Sequence, residues 1–265
     1  MTVGQMMDVL RSKRYLALEP RDYELAEPLA LDFDCEIRGH GYHYGTVLRA
    51  GGDFPVIRST QPARLKLEGL TFLPKDPDAP APGVPGVWIE RAYLSVIRDC
   101  LASHFMGNGY HFAAQNPDGA NALRFYNVQA YRCADAGLFL DGAMDFSIWG
   151  GDFEECGEGI RIREPAYLPE GVRVSAGLIQ GVRVERNIGG ADSGIVVESA
   201  RGLEISGNYL YDGVTLQAGA RSCWVRRNAL QAAARLVDHG RGNTVEDNYR
   251  AGAREAERSW WQLWR

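Results

Sequence analysis

Short runs in which apolar and polar residues alternate dominate the chain, and most of them begin with glycine. "GVWIERA" (86–92), "GYHFAA" (109–114), "GLFLDGA" (137–143), "GIRIRE" (159–164), "GIVVESA" (194–200) and "GVTLQAG" (213–219) share this form, with a degraded "ARLVDHG" at 234–240. Their first residues lie 19 to 35 positions apart. A period of two predicts a β-strand with one set of side chains inward and the other outward. Recurrence of one such strand at intervals of 20 to 50 residues is the mark of a repeat architecture.

Between these runs lies a second unit: two apolar residues at alternate positions, a polar or glycine corner, then another apolar position. The instances are "LKLEGLTF" (65–72), "LSVIRDCL" (94–101), "LRFYNVQA" (123–130), "FSIWGGDF" (146–153), "VRVSAGLI" (172–179), "LEISGNYL" (203–210), "CWVRRNAL" (223–230) and "NTVEDNYR" (243–250). This reading sets the corners at Leu70, Asp99, Asn127, Gly151, Gly177, Asn208, Asn228 and Asn248. Asn208, Asn228 and Asn248 are expected to stack with amides bonded from coil to coil, in a ladder that Asp99, Gly151 and Gly177 keep local. Two or three short strands per turn, stacked coil on coil, describe a solenoid of parallel strands. An ordinary β-sandwich is the competing architecture.

The order of these units resembles the right-handed parallel β-helix of the pectin-lyase-like superfamily, which includes pectate lyases, polygalacturonases, alginate epimerases and phage tailspikes. The opening is similar too: a short helix over about Val3 to Arg11, then "YLALEPRDYELAEPLAL", "CEIRGHG" and "TVLRA". The resemblance implies an all-β fold, a single parallel β-helix over 1–265, with an N-terminal cap (1–14) and a C-terminal cap or docking helix (251–265). The latter carries Trp260, Trp261, Leu263 and Trp264. A solenoid has an open strand edge at each end, and such edges need covering.

In each glycine-led strand, the second and fourth residues after the first position are expected outward. The second places read Trp88, His111, Phe139, Arg161, Val196 and Thr215, and the fourth Glu90, Ala113, Asp141, Arg163, Glu198 and Gln217. Trp88, Phe139, Arg161, Arg163 and Glu198 are the candidate substrate-binding residues, since aromatics lie against sugars and arginines bind carboxylates or hydroxyls. Glu90, Asp141 and His111 are the candidate catalytic residues. Two coils separate Glu90 from Asp141, about 9.6 Å at the backbone, near the roughly 6.5–9.5 Å window of an inverting glycosidase. In a lyase or epimerase, His111 would take the proton beside a uronate held by Arg161 or Arg163. Against both stands a plain ladder of salt bridges through Asp141, Arg163 and Glu198.

Composition narrows this further. A 45% hydrophobic chain of 265 residues supports a sizeable core, and 31 glycines and 12 prolines suit many turns. A net charge of −5 argues against a nucleic-acid binder. No stretch has the length of a signal peptide's apolar run or of a membrane span, so the expected location is cytoplasmic or virion-associated. Cys35, Cys100, Cys133, Cys156 and Cys223 form no CxxC pair and read as buried thiols rather than metal ligands.

Four polar stretches read as loops, three of them flanking the patch: 73–85, 113–121, 163–171 and 185–194. The sequence contains no Asp-Pro-His-Asp run like that of alginate epimerases. It also lacks the paired aspartates and Gly-His-Gly of polygalacturonases and the aspartate cluster of pectate lyases, so no catalytic set carries over. Two functions remain open. One is recognition of an acidic polysaccharide, with hydrolase or lyase cleavage and no cofactor. The other is a non-catalytic, trimeric virion or tail-fibre-like role that uses the Trp-rich C-terminal segment for assembly.

Overall fold

The computed structural model describes residues 1–41, 43, 45–113, 120–169 and 176–250. The described residues form a parallel β-helix, every strand pairing being parallel. Each full coil contributes a strand to each of three faces. Face one runs through Cys35–Arg38, Leu65–Glu68, Val96–Arg98, Gly177–Gln180, Leu203–Ser206, Trp224–Arg226 and Thr244–Glu246. Face two carries Val47–Ala50, Thr71–Leu73, Leu101–Ser103, Arg183–Glu185 and Tyr209–Leu210. Two long strands, Ala120–Tyr131 and Ala143–Glu154, continue from face one round the corner into face two, so the two faces count as one sheet of 18 strands.

Face three is a separate sheet of 9 strands. Its central members are Val87–Ile89, Tyr110–Ala113, Ala136–Asp141, Glu158–Arg163, Ile195–Arg201 and Val214–Arg221. The glycines that led the repeat stand at the start of these strands, and the packing explains why. A Cβ on Gly109 would sit 2.6 Å from the carbonyl oxygen of Gly137, one on Gly137 2.8 Å from that of Gly159, and one on Gly159 2.5 Å from that of Gly194. The coils therefore approach so closely at this corner that only glycine fits. Inward residues such as Tyr110, Leu138, Ile160 and Ile195, then Phe112, Leu140, Ile162 and Val197, fill the bore and are fully buried.

At the corner between faces one and two the bend itself takes left-handed φ at Gly69, Asp99, Asn127, Gly150, Gly181, Gly207, Arg227 and Asp247. The asparagine ladder occupies the next position. Asn228 Oδ1 accepts from the backbone and side-chain nitrogens of Asn208 at 3.0 and 2.9 Å, and Asn248 Oδ1 does the same for Asn228 at 3.0 and 2.9 Å. The ladder ends where Val182 N–H donates to Asn208 Oδ1 at 3.0 Å.

Two sequence assignments change here. Gly177 is not a corner: it pairs with Leu203 inside a strand, and Gly181 is the bend, so the repeat unit is "GLIQGVRV", five residues later than expected. Asp99, expected to interrupt the ladder, and Asn127, expected at the corner, do not occupy the ladder position. They stand one position earlier, on the bend, where Asn127 Nδ2 donates to Asp99 Oδ1 at 2.8 Å.

The helix Val3–Lys13 lies at the N-terminal end and buries Met6 and Leu10 completely. Thr2 and Gln5 cap it reciprocally, with Gln5 N–H donating to Thr2 Oγ1 at 3.3 Å and Thr2 N–H donating to Gln5 Oε1 at 2.8 Å. Thr2→Ala is expected to cost about 1 kcal/mol, read as a lowered melting temperature in calorimetry. The expected C-terminal segment, 251–265, lies outside the described residues. No helix among the described residues is long and apolar enough to cross a membrane. All five cysteines are buried and unbridged, and burial pushes the Cys35 and Cys100 thiols up to about 12.

Candidate functional site

Strand register places the expected residues in two columns on the outer surface of face three. Trp88, His111, Phe139, Arg161, Val196 and Thr215 are successive partners in the first, which Arg58, absent from the sequence reading, extends by one strand, and Ala113, Asp141 and Arg163 in the second. Glu90 follows Ile89 two strands before Asp141, and Glu198 follows Val197 one strand after Arg163. All four polar stretches connect to this face, two at each edge, because 73–85 and 185–194 enter it from face two and 113–121 and 163–171 leave it toward face one.

Outward does not mean exposed. The Trp88 and His111 rings are nearly parallel at 6.4 Å, and His111 stacks on Phe139 at 4.9 Å with 18° between planes. Arg58 lies over Trp88 at 5.9 Å, while Arg161 and Arg163 cover Phe139 at 5.4 and 5.2 Å. Phe139 is left only 6% exposed. The ring faces are thus taken up by each other and by guanidinium groups, and Trp88 and His111 remain partly exposed.

The charged groups are equally committed. Arg163 donates to both oxygens of Asp141, at 2.7 and 2.5 Å, and Asp141 is 5% exposed. Arg163 also approaches Glu198 at 3.7 Å. Arg161 Nε lies 2.7 Å from Glu158 Oε2 and 3.2 Å from Glu198 Oε1. The hydrogen bond from Arg163 to Asp141 raises the Arg163 guanidinium's pKa. The salt-bridge ladder through Asp141, Arg163 and Glu198 is therefore present and extends to Glu158. His111 Nε2 is buried without a hydrogen-bond partner, 3.9 Å from Asp141 Oδ2. Glu90 makes no ion pair among the described residues. No group of three or more His, Cys, Asp or Glu among them is placed to hold a metal.

No family model and no curated protein matches this sequence. Solved structures do match in fold. The Agl-KA catalytic domain superposes with a TM-score of 0.65 at 13% identity, over 92% of this chain and 50% of that one. The chain has the parallel β-helix fold. The alginate lyase from Paenibacillus sp. str. FPU-7 gives 0.52 at 14% identity, covering 95% of this chain and 94% of the lyase. The pre-mature bacteriophage phi29 gene product 12 gives 0.51 at 12%, covering 87% of this chain and 43% of the phage protein. This chain thus spans half the length of the Agl-KA domain and less of the phage protein. An enzyme and a phage protein alike match this fold, so fold leaves the activity to the side chains.

On face two, this parallel β-helix carries a cluster that sequence reasoning missed. Arg183 bridges Asp152 at 2.9 Å and Glu185 at 2.5 Å, with Tyr211 beneath its guanidinium at 5.8 Å, and Arg186 pairs with Glu154. The misplaced corner at Gly177 hid it, because it assigned Glu185 to a loop. Aligning "GLIQGVRV" with "LEISGNYL" would have put Arg183 in column with Tyr209.

Burial raises the pKa values of Asp152, Glu158, Glu185 and Asp212, while the hydrogen bond from Arg132 lowers that of Glu155. A carboxyl whose folded pKa exceeds its unfolded value binds more protons when folded, so its stabilising effect is lost as pH rises through that window. Burial also lowers the His104 pKa, which acts in the opposite sense because the unfolded imidazole then binds more protons. With four such carboxyls against Glu155 and His104, the urea midpoint is expected to be higher near pH 5 than at pH 7. A midpoint that rises steadily from pH 5 to 7 would contradict this balance.

Proposed function

We propose that face three binds a polysaccharide chain lying along the helix axis. The observation that carries this reading is the unbroken column Arg58, Trp88, His111, Phe139 and Arg161, about 19 Å long at one strand spacing per step, with polar groups beside it and connecting loops at both edges. Ring edges supply apolar contact for sugar C–H groups, and the arginine–carboxylate pairs supply donors and acceptors for hydroxyls. Asp141 serves to hold Arg163, since both its oxygens accept from that guanidinium. This supports recognition over an inverting mechanism shared by Glu90 and Asp141. Were a bound chain cleaved, His111 and Glu90 would be the candidates to move a proton.

Affinity electrophoresis through gels containing individual polysaccharides tests the reading. Trp88→Ala is expected to weaken retention about fivefold, the loss of one aromatic contact. Retention that ignores this substitution for every polysaccharide tried would remove face three from binding. Chain cleavage, followed by size analysis, is expected to stop in Glu90→Gln and His111→Ala if these groups react.

A further inference from the structure

The charges on this face are balanced in a way that selects among polysaccharides. Arg161 is shared between Glu158 and Glu198, and Arg163 between Asp141 and Glu198. Arg58, Arg161 and Arg163 face Glu90, Asp141, Glu158 and Glu198, three positive groups against four negative, a net −1. Resting on the reading that this face binds polysaccharide, we propose that it takes uncharged, polyhydroxylated chains and rejects uronate or sulfated ones.

The reason is the cost of exchange. At Arg161 and Arg163 a carboxylate on the ligand would have to displace Glu158, Glu198 or Asp141, leaving a half-buried or buried carboxylate without its cation. That penalty exceeds the value of the new ion pair. Arg58, at the end of the column, is exposed and in no ion pair among the described residues, so a contact there is solvent-screened and adds little. A sugar hydroxyl asks for no exchange, because it donates to the spare lone pairs of a paired carboxylate and accepts from the unused N–H groups of a paired arginine. The pair is partly withdrawn from water, the side chains of Arg161 and Glu158 being 33% and 22% exposed, and burial raises the Glu158 pKa. Aromatic edges flank these pairs, as an uncharged ring requires. A separate column, Arg201, Arg221 and Arg241, lies beyond a β-bulge in Ile195–Arg201 and keeps its charge in every variant of the test.

The test is affinity electrophoresis of the full chain in gels of dextran, laminarin, alginate or polygalacturonate, at low and moderate salt. Wild type is expected to be slowed by a neutral polymer, and Trp88→Ala to weaken that retention about fivefold. Arg161→Ala should leave retention by alginate and polygalacturonate unchanged when each mobility is taken relative to a polymer-free gel. Glu158→Gln with Glu198→Gln turns the net −1 into +1 and is expected to raise retention by alginate about tenfold, reversibly with salt. Glu198→Gln alone, at the more exposed pair, should give a smaller rise should the double variant fold poorly. Salt-sensitive retention of wild type by alginate or polygalacturonate that Arg161→Ala removes would overturn the proposal and leave the polysaccharide reading standing. Indifference of all four gels to Trp88→Ala would overturn both.

Discussion

Asn228→Ala is expected to destabilise the protein by about 3–5 kcal/mol, read from the urea midpoint by circular dichroism, because it orphans several buried groups at about 1–3 kcal/mol each. Asn228 is fully buried. Its Oδ1 is the acceptor for both nitrogens of Asn208, and its Nδ2 donates to Ile205 O at 3.0 Å and to Asn248 Oδ1 at 2.9 Å. Alanine fills the backbone position and satisfies none of these. Asn248→Ala, at the outer rung, should cost less, since its neighbourhood is wetter and its loss strands fewer buried groups. Equal losses at the two rungs, or a loss below about 1 kcal/mol at Asn228, would mean that water replaces the amide.

Phe139→Ala is expected to cost about 3 kcal/mol, the lower end of the range for removing a buried phenylalanine, and to abolish polysaccharide retention as well. The ring is the middle of the face-three column: His111 stacks on it, and two guanidinium groups lie against it. Without it His111 loses its support, and Arg161 and Arg163 lose cation–π contacts of about 0.5–1 kcal/mol each. Phe139→Leu separates the two effects, since it keeps most of the buried volume and removes the aromatic surface. The leucine variant should recover at least half of the lost stability in urea titration while binding remains weak. Full binding by Phe139→Leu would show that the ring acts only as packing.

What could be read from the chain alone was the alternation itself. In "GIRIRE", Ile160 and Ile162 enter the bore and Arg161 and Arg163 face out, because a strand has a period of two and the core must be apolar. The leading glycines also fixed the face-three register, since the close approach of one coil's backbone to the next excludes any side chain at that point. Where no such marker stood, at Val182 in place of an asparagine, the register slipped by five residues and the Arg183 cluster was lost with it. Tertiary structure alone decided which outward groups cover and neutralise one another. Asp141 meets Arg163 from 22 residues away, and Phe139 disappears beneath side chains of adjacent coils. Alternation states which side of a strand a residue occupies, whereas its lateral partners depend on loop lengths and strand register, which bring distant segments to within one strand spacing of each other.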